Sequence, residues 1–308
     1  MKFYAPSGIQ GVIRALALES RMLEDPAGED GLLFCWSGEK AVVMGKNQNP
    51  WRECDLDFIR ETDCTLARRV SGGGTVYHDP GNLNISWVLP RDKYRAEEMH
   101  GILIRALNQL DITAELGNGG SLVVAGKKIS GSAFCYRKDR VLHHGTLLLD
   151  ADLGELRAAL APPKMRIETH AVDSVPAPVI NLKTLQPEID KRLIQESLLK
   201  EAEKTFGNLE PLQELPDIQS EADHLTTDEW LWGQTPAFTS QVKLPEGGEL
   251  HFKVRKGKIT ECRVGGQKID LAPAPGFPDG DYAELDQALG LRAGGMDALF
   301  KQSGWMKI

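Results

Sequence analysis

The sequence predicts an α+β fold: a mixed β-sheet flanked by helices over residues 1–230, followed by a small α+β accessory domain over residues 231–308. Three observations predict it. Short apolar runs, Leu32 to Trp36, Ala41 to Met44 and Ile85 to Leu89, have the length of strands buried on both faces. Longer segments between them carry apolar residues at the helical period. After an acidic, proline-bearing stretch at 208–224, the residues Phe238 to Leu244, Glu249 to Arg255 and Lys258 to Val264 alternate apolar and polar side chains between glycine turns, the pattern of an antiparallel meander.

Taken in order, Ser7 can cap a helix whose Ile9, Val12, Ile13, Leu16 and Leu23 form one stripe, ended by Pro26 and Gly28. The runs at 32–36 and 41–45, separated by S-G-E-K, read as a hairpin, and Gly45 to Trp51 as its exit loop. Residues 93–109 form a helix with Met99, Ile102, Leu103 and Leu107 on its inner face. Leu122 to Val124 and Lys128 to Phe134 flank Gly126-Lys127, read as a two-residue turn. The basic loop Tyr136 to Arg140 leads into a return strand, Val141 to Leu149. Helices near 152–160 and 187–206 follow, the second opened by Pro187 and stopped by Gly207, and two short helices close the chain.

The chain has 308 residues, 41% of them hydrophobic and 26% charged, which is the composition of a folded globular protein. No apolar run approaches the roughly 20 residues a bilayer-spanning helix needs, and the N-terminus lacks a signal-peptide pattern, so a cytoplasmic protein with no membrane partner is expected. A formal charge of −8 argues against a general nucleic-acid binder. Five cysteines without C-x-x-C spacing suggest buried thiols, with neither a disulfide framework nor a zinc site.

The most informative stretch is R-R-V-S-G-G-G-T-V-Y-H-D-P-G-N-L-N-I-S at 68–86. Gly72, Gly73 and Gly74 let a backbone lie against a ligand, and the adjoining Arg68 and Arg69 suit a carboxylate or phosphate. A lone G-G-G would more often be a plain turn. Here the segment resembles the signature of the lipoate-protein ligase A family, in the biotin/lipoate ligase superfamily. G-K-K-I-S-G-S-A-F-C-Y-R-K-D-R-V-L-H-H-G-T-L-L-L-D at 126–150 resembles that family's lysine segment, G-K-N-Q-N-P-W at 45–51 a third block, and W-L-W-G-Q-T-P-A-F at 230–238 the start of the accessory domain of its long bacterial form.

The resemblance implies ATP-dependent ligation: lipoate, ATP and Mg²⁺ give lipoyl-AMP, and a lysine of an apo lipoyl domain takes the lipoyl group. That carrier would be a 2-oxoacid dehydrogenase acyltransferase subunit or a glycine-cleavage H-type protein, served by a monomeric ligase. It assigns Lys128 to the bridging of acyl and phosphate oxygens, Arg69 and Ser71 to the carboxylate and phosphate, and Gly74, Thr75, Val76 and Tyr77 to the nucleotide. Gly72, Gly73, His78, Asn82, Ser130 and His144 complete the binding set. Strand alternation lets only one of Lys127 and Lys128 face a ligand, and sends His143 and His144 to opposite faces, which suits structural roles better than a shared metal. His78 and Asp79 read equally as a general base or as a turn. Trp36, Val43, Val76 and Leu147 are candidates to line an aliphatic tunnel.

Two alternatives remain at this level. A transferase of the same fold would use a cysteine upstream of the lysine block, where residues 111–124 contain none, and a lipoate-binding protein would lack adenylation. A biotin ligase, with a differently written glycine loop, ranks behind both. Gly120-Ser121 and Ala177-Pro178 depart from the family pattern, which has Asn-Asp and a basic segment there. The stretch at 208–224 reads equally as a flexible connection, letting the accessory domain close for adenylation and swing away for transfer, or as a rigidly packed one.

Overall fold

A computed structural model describes residues 1–24, 31–162, 165–245, 247–271, 276–277, 282–289, 291, 294–303 and 305. The expected helix stop at Pro26 and Gly28 lies outside them. The core is a nine-stranded mixed sheet. Its main path runs through Glu210–Pro211, Lys2–Tyr4, Leu32–Gly38, Asn82–Pro90, Arg140–Leu148, Lys127–Arg137, Leu122–Val124 and Glu115–Leu116. Pairing is parallel at the Lys2–Tyr4 strand and antiparallel from Leu32–Gly38 onward. Helices Ala96–Asn108 and Lys191–Phe206 cover one face through Ile102, Leu107, Ile194 and Leu198. Asp190 caps the longer helix, its carboxylate accepting from Leu193 N, and Gly207 ends it at φ +74°.

The opposite face carries helix Val12–Glu24 and a separate three-stranded sheet. This departs from the expected hairpin: Leu32–Gly38 stays in the large sheet, whereas Ala41–Met44 is the centre of the small one, parallel to Thr65–Arg68 and antiparallel to Val76–His78. The S-G-E-K link hands the chain between sheets rather than folding it back. A second shift is one of register, since the turn before the lysine strand is Ala125-Gly126, at φ 49° and 75°, with Lys127 already paired to Val124.

The C-terminal meander forms as expected, at Phe238–Lys243, Glu249–Arg255 and Lys258–Val264. It gains Gln267–Ile269 and, from far upstream, Glu168–Thr169. One hydrophobic core joins it to the small sheet: Trp51 meets the rings of Trp232, Phe238, Phe277 and Trp305 at centroid distances of 5.5, 5.5, 5.2 and 5.7 Å. The 208–224 segment is packed as well, its Ile218 and Ala222 buried against helix Val12–Glu24. A docked unit, rather than one on a free tether, is what these contacts describe.

Candidate active site

Strands Thr65–Arg68 and Val76–His78 flank Ala41–Met44, so residues 69–75 must pass over the end of that central strand. The crossing is close. Lys46 N donates to Ser71 O at 2.8 Å, and a Cβ on Gly45 would stand 2.1 Å from Gly73 O, so only glycine fits. Gly73 takes φ +83°. This loop, the large sheet and helix Val12–Glu24 enclose a cavity of about 420 Å³.

Arg69 shapes the loop from within. Its Nε donates to Ser71 Oγ at 2.9 Å, Nη1 to Val43 O at 2.8 Å, and Nη2 to Gly72 O and Gly74 O at 2.6 and 2.7 Å. Those four bonds leave one of its five donors for a ligand. Burial brings its pKa down to about 10. Arg68 is turned away from the cavity: it donates to Leu231 O, to the carbonyls of Gly45, Lys46 and Gln48, and to Thr235 Oγ1. Of the Arg pair expected to meet an anion, one clamps the 45–48 loop to the C-terminal region.

Lys128 lines the cavity, and Lys127 is exposed outside it. A register shift between Lys128 and Ser130 places Lys128 on one face with Gly131 and Ala133. The same bulge carries Ser130 to the other side, among Ile85, Trp87 and His143, which corrects its expected place in the site. Lys128 Nζ lies 3.1 Å from where a Cβ on Gly131 would stand. No described residue bonds to this ammonium, and burial holds it below the ordinary lysine pKa. The backbone of Lys128 is fixed by Pro178 and Ile180, so the 174–182 segment that departs from the family pattern abuts the lysine directly.

Of the remaining expected residues, Gly73, Gly74, Thr75, Val76, His78 and His144 line the cavity. Ser71 and Gly72 stand just behind it as partners of Arg69. Tyr77 faces the C-terminal core, its hydroxyl donating to Glu155 at 2.5 Å, because alternation turns it away from Val76 and His78. Asn82 is fully buried outside the cavity and donates to Tyr77 O. Asp79 resolves as a turn residue: its oxygens accept from the backbone amides of Gly81 and Asp152, both at 2.7 Å. Trp36, Val43 and Val76 line the cavity as expected, whereas Leu147 belongs to the core on the far face.

Sequence reasoning missed four supports. Glu19, buried in helix Val12–Glu24, accepts from Ser86 Oγ at 2.5 Å and lies 2.8 Å from His144 Nδ1; His144 Nε2 in turn meets Ser71 Oγ at 2.7 Å. That chain runs on to Arg69. Gln48 accepts from Gly45 N and Thr75 Oγ1 and donates to Ser174 Oγ. Ser174 accepts from Thr75 N and donates to Glu53, which straps residues 172–175 over the glycine loop. The polar residues Asn84 and Ser86, alternating in a buried strand, were the legible signal for a polar cavity floor. His78 and His143 are pushed down to about 3, chiefly by burial.

Residues 12–203 match the family of the lipoyl protein ligase A/B catalytic domain. The chain is 33% identical over 264 residues to a lipoate-protein ligase A of Bdellovibrio bacteriovorus, covering 81% of this chain and 78% of that protein. Its fold is similar to LipL1 of P. falciparum in complex with lipoate, at TM-score 0.67 and 26% identity over 85% of this chain and 83% of that one. A lipoate-protein ligase A bound with ATP aligns at TM-score 0.63 and 25% identity, covering 76% of this chain and 100% of the other. With the glycine loop and the lysine strand facing one cavity, and the match spanning both, the chain belongs to the lipoyl protein ligase A/B catalytic-domain family.

Proposed function

We propose that the protein is an ATP-dependent lipoate–protein ligase that activates lipoate as lipoyl-AMP and transfers the lipoyl group to a lysine of an apo lipoyl domain. The observation that carries this reading is Lys128: a half-buried ammonium without a counter-ion among the described residues, opposite a glycine loop and beside small residues. A lipoate carboxylate oxygen attacks the α-phosphorus of ATP and pyrophosphate leaves. The carrier amine then attacks the acyl carbon and AMP leaves. Lys128 has three donors, enough to touch the carbonyl oxygen and an α-phosphate oxygen together, and it stabilises charge that develops on both in each step. Gly73 and Gly74 give the nucleotide backbone contact at the cavity wall. The strap at 172–175 excludes water from the anhydride.

The side chains of the described residues do not form a metal site. No cluster of three or more His, Cys, Asp or Glu able to hold a metal stands among the described residues; Glu19 is bonded to Ser86 and His144, and Asp173 is paired with Arg52 at 2.8 Å. Mg²⁺ therefore belongs to the ATP phosphates in this reading.

All five cysteines are buried and none lines the cavity; burial pushes Cys64 up to about 11 and Cys35 and Cys262 to about 12. A cysteine-borne acyl group gains no support from this. The test is to incubate the protein with ATP, Mg²⁺, lipoate and an apo lipoyl domain. Pyrophosphate release together with the lipoyl mass shift on the carrier is expected. A hydroxylamine-sensitive acyl mass on the protein itself, formed without ATP, would replace the ligase reading by the transferase.

A further inference from the structure

The cavity floor is not purely aliphatic. Asn84, 3% exposed, and Trp36, 1% exposed, line it, and each carries a buried side-chain nitrogen without a hydrogen-bond partner, Asn84 Nδ2 and Trp36 Nε1. Both are donors. The side-chain oxygens of Asn84, Thr146 and Glu19 beside them are engaged. Thr146 Oγ1 donates to Asn84 Oδ1 at 2.7 Å and lies 3.1 Å from His78 Nε2, which fixes the amide with its nitrogen unanswered. The carboxylate of Glu19 is held by Ser86 and His144. Buried donors are almost always paired, so two orphans side by side at the end of a cavity point to an acceptor brought by the ligand.

Their position fits the far end of a medium-chain acid. Across the sheet, Trp36 is opposite Asn84, Asn84 opposite Thr146, and Thr146 opposite Gly131, beside which the Lys128 ammonium sits. Asn84 is thus two strands from Gly131, about 10 Å, and Trp36 one strand further. An acid whose carboxyl end meets Lys128 and whose chain runs extended along this row ends at the two donors. An octanoyl tail offers them only hydrogens. The ring of lipoate offers sulfur lone pairs, which are weak acceptors.

Resting on the ligase reading, we propose that Asn84 and Trp36 form a donor-lined subsite that recognises the dithiolane sulfurs, so that this chain selects lipoate over octanoate by hydrogen bonding at the tail as well as by ring shape. A site built to hydrogen-bond a substrate atom discriminates against the analogue that lacks it, because its own buried groups are then left unpaired.

The experiment compares three acids, lipoate, octanoate and 5-cyclopentylpentanoate, the last keeping the ring outline with both sulfurs replaced by methylenes. Wild-type protein is expected to prefer lipoate over the cyclopentyl acid by on the order of tenfold in kcat/KM. Asn84→Leu should bring that ratio close to one, with the octanoate ratio shifting the same way. Equal use of lipoate and the cyclopentyl acid by the wild type overturns the proposal even if Asn84→Leu does not fold. An unchanged ratio in a folded Asn84→Leu, with all three acids weakened alike, also overturns it and makes Asn84 a structural residue. If no acid is ligated, the ligase reading fails, and calorimetric binding of the same acids to the wild type decides the subsite: a tenfold preference for lipoate supports it and equal affinities refute it.

Discussion

Lys128 and Lys127 differ by one residue, yet only the first is set against the glycine loop. Lys128→Ala should lower adenylate formation by about 100-fold or more, and transfer from supplied lipoyl-AMP similarly, since one donor to developing charge accounts for that much. Its melting temperature should not fall, because a desolvated, unpaired ammonium does not stabilise the fold. Lys127→Ala should be near normal; the reverse result would show that the bulge has been misread. The histidines make a pH prediction. His78 is held near 3 when folded by burial, then by Arg69 and His144, against an ordinary value of 6.5. Between those values the unfolded chain binds a proton that the folded chain does not, so stability falls as pH drops through that window. In His78→Gln, thermal melting should lose less between pH 6.5 and 4 than the wild type does; identical slopes would assign the acid sensitivity elsewhere. At this scale the sequence grouped Lys128, Gly73 and His78 through contiguous blocks, and all three line the one cavity. It misplaced Ser130, which a bulge turns over, and Tyr77, which strand alternation turns away.

The glycine loop shows why some elements were legible and others were not. G-G-G announced a close backbone approach, and Gly45 lying against Gly73 confirms one. What the segment could not disclose was that Arg69 would be the post on which the loop is wound, because all its carbonyl partners depend on two strands flanking a third. Gly73→Val should abolish activity and destabilise by about 1–3 kcal/mol: it forces a β-branched residue to φ +83°, with its Cβ 3.1 Å from the Arg69 guanidinium. Gly72→Ala meets nothing within 4 Å and has no such φ, so it should lose much less. Equal damage from both, read by kcat/KM and melting together, would mean that ligand contact rather than backbone shape sets the requirement. The stripe and the Gly207 stop of Lys191–Phe206 were readable from local signals, but its start was not: Asp190, not Pro187, opens it. The split of residues 32–44 between two sheets was not, since the same apolar runs serve a hairpin equally well.

For the whole molecule, the C-terminal sheet was legible as a meander, but its relation to the rest was not, because composition at 208–224 resembles a linker whether or not it is packed. Trp51 sits among four aromatic rings from residues 232–305, and Arg68 is satisfied by Leu231 and Thr235. Ending the chain after Gly233 should therefore lower the melting temperature by well over ~5 °C and remove both half-reactions together, since core aromatics are left uncovered and a buried guanidinium loses a partner. A truncated protein of normal stability that fails only in adenylation would restore the picture of a closing lid. The Arg68 clamp also bears on how the protein is made. The ribosome delivers the chain from its N-terminus, so the glycine loop and the lysine strand emerge long before residues 231–235. Until those arrive, the guanidinium that ties the 45–48 loop in place has neither the Leu231 carbonyl nor the Thr235 hydroxyl. Competence of the site should thus be a late event in synthesis: a nascent chain halted near residue 230, with residues 12–203 already made, is expected to remain unable to form an adenylate.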